Sequence, residues 1–108
     1  MARNPEGTFQ DDLVEELEKT FKGCIVTKLD PTFKRGIPDL LILYKNKWAT
    51  LECKKSAKAP ARPLQPYYVD LMNKMSFSAF IYPENKEEVI NDLKRAFRVA
   101  RKTCNVQS

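Results

Sequence analysis

An α/β fold with a mixed central sheet flanked by helices is predicted, in the order α-β-β-β-α-β-α. Three segments repeat apolar residues at helical spacing, and four short runs are rich in β-branched and large apolar residues. Glycines, prolines and capping residues punctuate the boundaries between them. At 108 residues the chain has room for one core, so residues 1–108 are expected to form a single domain.

Thr8 is read as the cap of a first helix running to about Lys22, with Asp11 as its reciprocal partner. Phe9, Leu13, Leu17 and Phe21 make its apolar stripe, and Gly23 ends it. Residues 24–29 (CIVTKL) read as a short strand leading into the polar loop 30–35. Residues 40–44 (LLILY) are apolar on both faces, whereas 48–54 (WATLECK) alternate, so the two are expected to pair as a hairpin. The prolines and small residues of 55–63 (KSAKAPARP) mark a loop, and 64–75 repeat Tyr68, Leu71, Met72 and Met75 as a second helix. Residues 77–82 (FSAFIY) supply the fourth strand. Asn85 followed by Glu88 is a capping signature for a last helix to about Lys102. Its inner face would hold Val89, Leu93, Ala96 and Phe97, with Lys94, Arg95, Arg98 and Arg101 outward.

With 43% hydrophobic and 31% charged residues, neither disorder nor a fibrous repeat is indicated. No stretch approaches the roughly 18 apolar residues of a membrane span, and residues 1–7 lack the apolar centre of a secretory signal. Three cysteines without a CxxC fit neither a disulfide framework nor a structural zinc site, which points to a reducing cytoplasm. The absence of histidine removes the usual general base, the usual zinc ligand and the base of a Ser-His-Asp triad. Chemistry is left to carboxylates, lysines and a hard metal ion. A net charge of +5 favours a polyanionic partner, although basic surfaces also serve solubility.

Residues two apart on a strand share a face, so Glu52 and Lys54 project to one side and Leu51 and Cys53 to the other. A two-residue hairpin loop would pair Tyr44 with Lys47 and set Asp39 opposite Glu52, about 5 Å apart. A three-residue loop would offset that pair by one position. Two carboxylates so close repel unless a cation lies between them, and a hard ion such as Mg²⁺ or Mn²⁺ prefers their oxygens. The backbone carbonyl of Cys53 is a further candidate ligand, its thiol then being core packing. Lys54 would stand beside metal-bound water, placed to stabilise charge on a phosphoryl oxygen. The alternative is a turn ended by Asp39 and a solvated edge pair of Glu52 and Lys54, worth well under about 1 kcal/mol.

Gly36-Ile37-Pro38-Asp39, then Leu51-Glu52-Cys53-Lys54, then Leu64-Gln65 resemble the virus-type replication-repair nuclease domain (VRR-NUC) of the PD-(D/E)XK superfamily, in its stand-alone phage or bacterial form. The resemblance covers most of the chain, and the predicted element order is similar to the superfamily core. It implies metal binding by Asp39 and Glu52, assistance to the attacking water by Lys54, and a supporting place for Gln65. Many superfamily members add a glutamate from the first helix. The matching position here holds Gln10, with Glu6 one turn earlier, so a third acid and a second metal stay open. Glu15, Glu16 and Glu18 read as a solvated face. The resemblance also implies Mg²⁺- or Mn²⁺-dependent DNA cleavage, including Holliday-junction resolution by homodimers, in the host cytoplasm if the chain is phage-encoded.

DNA contact has separate support. Lys28, Lys34 and Arg35 precede the acidic motif, and Lys55, Lys58 and Arg62 follow it in what reads as a flexible loop. Neutralising six phosphates would give a logarithmic salt slope of about −5. The rival readings are a non-catalytic DNA-binding module on the same fold and another activity of the superfamily, such as a nickase. The second helix, with Tyr67, Tyr68, Met72 and Met75, or the last helix is the candidate dimer interface, though such stripes more often face a core.

Overall fold

The computed structural model describes residues 5–107 in their backbone and residues 8–98 in their side chains. The seven elements follow the predicted order: α1 (Pro5–Thr20), β1 (Ile25–Lys28), β2 (Leu40–Tyr44), β3 (Lys47–Cys53), α2 (Leu64–Met75), β4 (Phe77–Ile81) and α3 (Lys86–Gln107). The expectations for Glu6, Arg101 and Cys104 concern side chains outside the described residues.

The four strands form one sheet in the order β1-β2-β3-β4. Both β1–β2 and β2–β3 are antiparallel, whereas β3 and β4 run parallel, which requires the α2 crossover between them. Lys45-Asn46 closes the β2–β3 hairpin, with Tyr44 paired to Lys47 and Lys45 at φ +57°. That left-handed conformation lets a two-residue turn match the strand twist. The two-residue alternative among the sequence-based expectations is therefore the one adopted.

The faces of the sheet are covered differently. One face carries Leu40, Ile42, Ala49, Leu51, Cys53 and Ile81, packed against Leu13, Leu17 and Phe21 from the α1 side and Val89, Ile90, Leu93 and Phe97 of α3. Each large side chain so buried stabilises the fold by roughly 1.5–3 kcal/mol. The rings of Phe21, Tyr44 and Phe97 meet pairwise with centroids 5.4, 5.1 and 5.2 Å apart. Lys86 and Glu16 then bridge α3 to α1 at 2.8 Å, so Glu16 belongs to a pair rather than to a purely solvated face. Cys24 donates weakly to the Leu17 carbonyl at 3.7 Å, and burial followed by the charge of Glu18 pushes its thiol pKa up. Among the described residues no helix is long and apolar enough to cross a membrane.

Four local expectations are corrected. Thr8 lies inside α1, which starts at Pro5, a residue whose fixed φ and missing N–H suit the first helical position. The side chain of Asn85 turns back to the end of β4, accepting from the Tyr82 N–H at 2.9 Å and donating to the Phe80 carbonyl at 3.1 Å. It therefore fixes the entry to α3 through the strand, not through a reciprocal box with Glu88. Glu52 is not half of a solvated edge pair, the alternative reading of the β3 alternation, because residues 49–53 are buried on both sides of the sheet. Nor is the 55–63 segment a free loop. The Ala57 N–H donates to Glu84 Oε1 at 3.1 Å and the Ala59 N–H to the Ser56 carbonyl at 3.1 Å.

Candidate active site

The second face of the sheet is polar where α2 covers it. Thr50 and Ser78, both buried, join by a 2.8 Å hydroxyl contact, and the Ser78 N–H donates to Asn73 Oδ1 at 3.0 Å. Two residues along β3 the same face presents Glu52, only 2% exposed. A buried carboxylate is strongly destabilising unless charge and hydrogen bonds compensate it. Here Gln65 Nε2 donates to Glu52 Oε2 at 2.8 Å, and Lys54 Nζ lies 3.8 Å from the same oxygen. Gln65 Oε1 in turn accepts from Lys54 Nζ at 2.6 Å and from the Arg62 N–H at 2.9 Å. One amide thus holds the acid and the ammonium in fixed relation, while Lys54 also donates to the Pro60 carbonyl at 3.3 Å.

Asp39 reaches this cluster from the end of β2. Its carbonyl accepts from the Leu29 N–H at 2.8 Å, and its Oδ2 accepts from the Cys53 N–H at 2.8 Å. Leu40 pairs with Leu51, so the next step of the ladder sets Asp39 across from Glu52. In an extended strand the N–H and C=O of one residue point toward the same neighbour, which turns the Cys53 carbonyl toward Asp39 as well. The Cys53 thiol is on the other face and fully buried in the apolar core.

A close approach draws the parts together. Gly36 adopts φ +89°, and a Cβ there would lie 2.4 Å from Leu64 Cβ. Glycine is thus required twice, for backbone conformation and for space. Its absent side chain lets the turn before Asp39 press against the first residue of α2, next to Gln65. Pro38, fully buried, lies between Gly36 and Asp39 in sequence.

The oxygen donors suit a hard cation. Among the described residues no group of three or more His, Cys, Asp or Glu side chains is arranged to hold a metal. Two carboxylates and a backbone carbonyl are nonetheless a sufficient protein share for Mg²⁺ or Mn²⁺, which keep several waters and take further oxygens from a phosphate. Gln10 is half-buried on α1, the helix that packs on the opposite face from Gln65.

All six basic candidates, Lys28, Lys34, Arg35, Lys55, Lys58 and Arg62, are exposed. Lys55, Lys58 and Arg62 flank the cluster on the tethered loop, and Lys34 and Arg35 lie on the turn before Gly36. Lys28 pairs with Leu40 and so projects on the opposite face from Glu52, away from the others. Sequence reasoning missed Phe80 and Tyr82. Phe80 is paired with Glu52 across the parallel β3–β4 ladder, and the Lys54 N–H donates to the Ile81 carbonyl at 2.9 Å, continuing that ladder toward Tyr82. The alternation in FSAFIY was visible, but only the parallel register turns it into a statement about the site.

No protein-family model and no curated protein matches the chain. Solved structures do. A structure described as "VRR_NUC domain" superposes with a TM-score of 0.65 at 24% identity, covering 82% of this chain and 97% of that one. A second, described as "VRR_NUC domain protein", gives a TM-score of 0.63 at 13% identity over 91% of this chain and 92% of that one. The chain has the VRR_NUC domain fold, the one its motifs resemble.

Proposed function

We propose that the chain is a metal-dependent endonuclease acting on branched or otherwise non-standard DNA. The observation that carries this reading is the buried Glu52, tied through Gln65 to Lys54 and set beside Asp39 at one end of a VRR_NUC-type sheet. A structural role alone gives little reason to bury a carboxylate and a lysine together, since replacing such a pair by apolar residues is often stabilising.

Asp39, Glu52 and the Cys53 carbonyl would hold Mg²⁺ or Mn²⁺, with Gln10 and Glu6 the remaining candidates from α1. When bound, the ion supplies a water of lowered pKa and positive charge for the phosphoryl oxygens. The chain's own contribution is positional. Gln65 fixes Glu52 and Lys54, so that Lys54 keeps its charge where a phosphoryl oxygen becomes more negative during hydrolysis. Lys34, Arg35, Lys55, Lys58 and Arg62 provide contacts to the phosphates on either side, whereas Lys28, on the opposite face, would meet only DNA that wraps the sheet edge. Such contacts read backbone shape, in keeping with a four-way junction as substrate. A homodimer would supply two such centres for paired cuts, with Tyr67 and Met75 of α2, 57% and 63% exposed, as its candidate contact. A cytoplasmic setting suits a chain with this cysteine usage.

The test is incubation with a labelled four-way junction and a matching linear duplex under Mg²⁺, Mn²⁺ or chelator, alongside Asp39→Asn. Junction cutting that requires both metal and Asp39 is expected. Tight junction binding with no cleavage in either metal would replace the enzyme by a binding module.

A further inference from the structure

A groove of about 230 Å³ opens beside Lys54, lined by Phe80, Tyr82, Ala59, Ala61 and Pro66 together with Lys54 itself. The ladder described above accounts for the position of the rings. Phe80 lies next to Glu52 on the same face of the sheet, and Tyr82 follows two residues on, beside Lys54. The opposite wall is the 55–63 segment, whose small side chains leave space. That wall is anchored by Ala57 to Glu84 and by the Pro60 carbonyl to Lys54. The result is a preformed slot with aromatic rings, small apolar walls and one ammonium, 6.0 Å from the Phe80 ring centre.

The volume lies below the roughly 300–1,000 Å³ of pockets for drug-sized ligands, which leaves room for one planar ring system. Lys55, Lys58 and Arg62 on the same segment are exposed, and their charge suits the phosphates of a strand whose base enters the slot. A base stacked in a duplex offers only its edge, whereas aromatic rings recognise a face. Resting on the nuclease reading, we propose that this groove takes one unpaired or extruded nucleobase adjacent to the phosphate held at Lys54. The substrate class is thereby narrowed to DNA with an unstacked nucleotide next to the cut, as at a bulge, a flap or the crossover of a junction.

The probe is a duplex bearing a single bulged 2-aminopurine, compared with the fully paired duplex, titrated with the whole chain in chelator so that binding alone is read. Saturation should change the 2-aminopurine fluorescence. Tyr82→Leu, which removes an aromatic face, and Ala61→Trp, which fills the slot from the loop, should each weaken binding of the bulged DNA about tenfold and leave the paired duplex unaffected. The two changes lie on different elements, and circular dichroism shows whether either has disturbed the fold. Unchanged fluorescence at saturation, equal affinity of the unaltered chain for both DNAs, or two folded variants that bind the bulged DNA normally would each overturn the groove. Absence of metal-dependent cleavage of any DNA overturns the nuclease reading separately, because this titration uses no metal.

Discussion

The two faces of the sheet bury side chains to different ends. Against α1 and α3 the buried groups are almost all aliphatic or aromatic, including Leu40, Leu51, Ile81 and Leu93, each fully shielded. Under α2 the same strands bury Thr50, Ser78 and Glu52, each of which must be matched by a hydrogen-bonding partner. Packing can be exchanged within limits on the first face. On the second, each group is held for where it points, and the apolar face supplies the stability that tolerates a buried charge.

Changes that separate these roles differ in size. Leu51→Ala removes a fully buried side chain and should destabilise the chain by about 2–5 kcal/mol, read by urea unfolding. Its neighbour Glu52→Gln should behave in the opposite way. Cleavage should fall by at least roughly 10²-fold as a ligand charge is lost, while the urea midpoint in chelator should shift far less than for Leu51→Ala, because the lost pairing with Lys54 is offset by relief of the repulsion between Glu52 and Asp39. Full activity in that variant would sink the assignment, and a large loss of stability would remove the contrast between the faces. Gly36→Ala tests the joint between turn and helix. The methyl must displace Leu64, and alanine at position 36 must adopt an unfavourable positive φ, for a loss of about 1–3 kcal/mol; cleavage should drop beyond the loss of folded protein because Gln65 moves with Leu64.

The smallest effect lies off both faces. Thr32 donates its hydroxyl to Asp30 at 2.6 Å and its N–H at 2.9 Å, and these bonds hold the Asp30 carboxyl below the usual aspartate range. A lowered folded pKa contributes stability above the unfolded value and loses it as pH falls through the folded one. Thr32→Val should therefore raise the Asp30 pKa toward its ordinary value, as read by NMR titration, leaving cleavage at neutral pH untouched.

What the sequence made legible divides along the same line. The bounds of α2 were readable because tyrosine, leucine and methionine repeat at helical spacing, and the hairpin because only residues 45–47 separate two runs of strand formers, although its two-residue turn is fixed by the Tyr44–Lys47 pairing in the fold. The polar face was harder to read. Alternation in WATLECK is the pattern of a half-solvated strand, and only α2 converts Thr50 and Glu52 into buried groups. The bridging role of Gln65 depends on a fold that brings residues 52, 54 and 65 together. The tethering of residues 55–63 rests on Glu84, nearly thirty positions away, which no local pattern announces.

The shortness of the Lys45-Asn46 connection also bears on the order of folding. Closing so small a loop loses little chain entropy, and hairpins form within microseconds, so β2 and β3 can pair before the longer α2 crossover docks. Asp39 and Glu52 would then meet in water, with Gln65 and the shielding helix arriving afterwards. Substitutions at Ala49 should slow refolding nearly in proportion to the stability they remove, whereas Val69→Ala on α2 should chiefly speed unfolding; the reverse result in stopped-flow measurements would mean that the helix organises the strands.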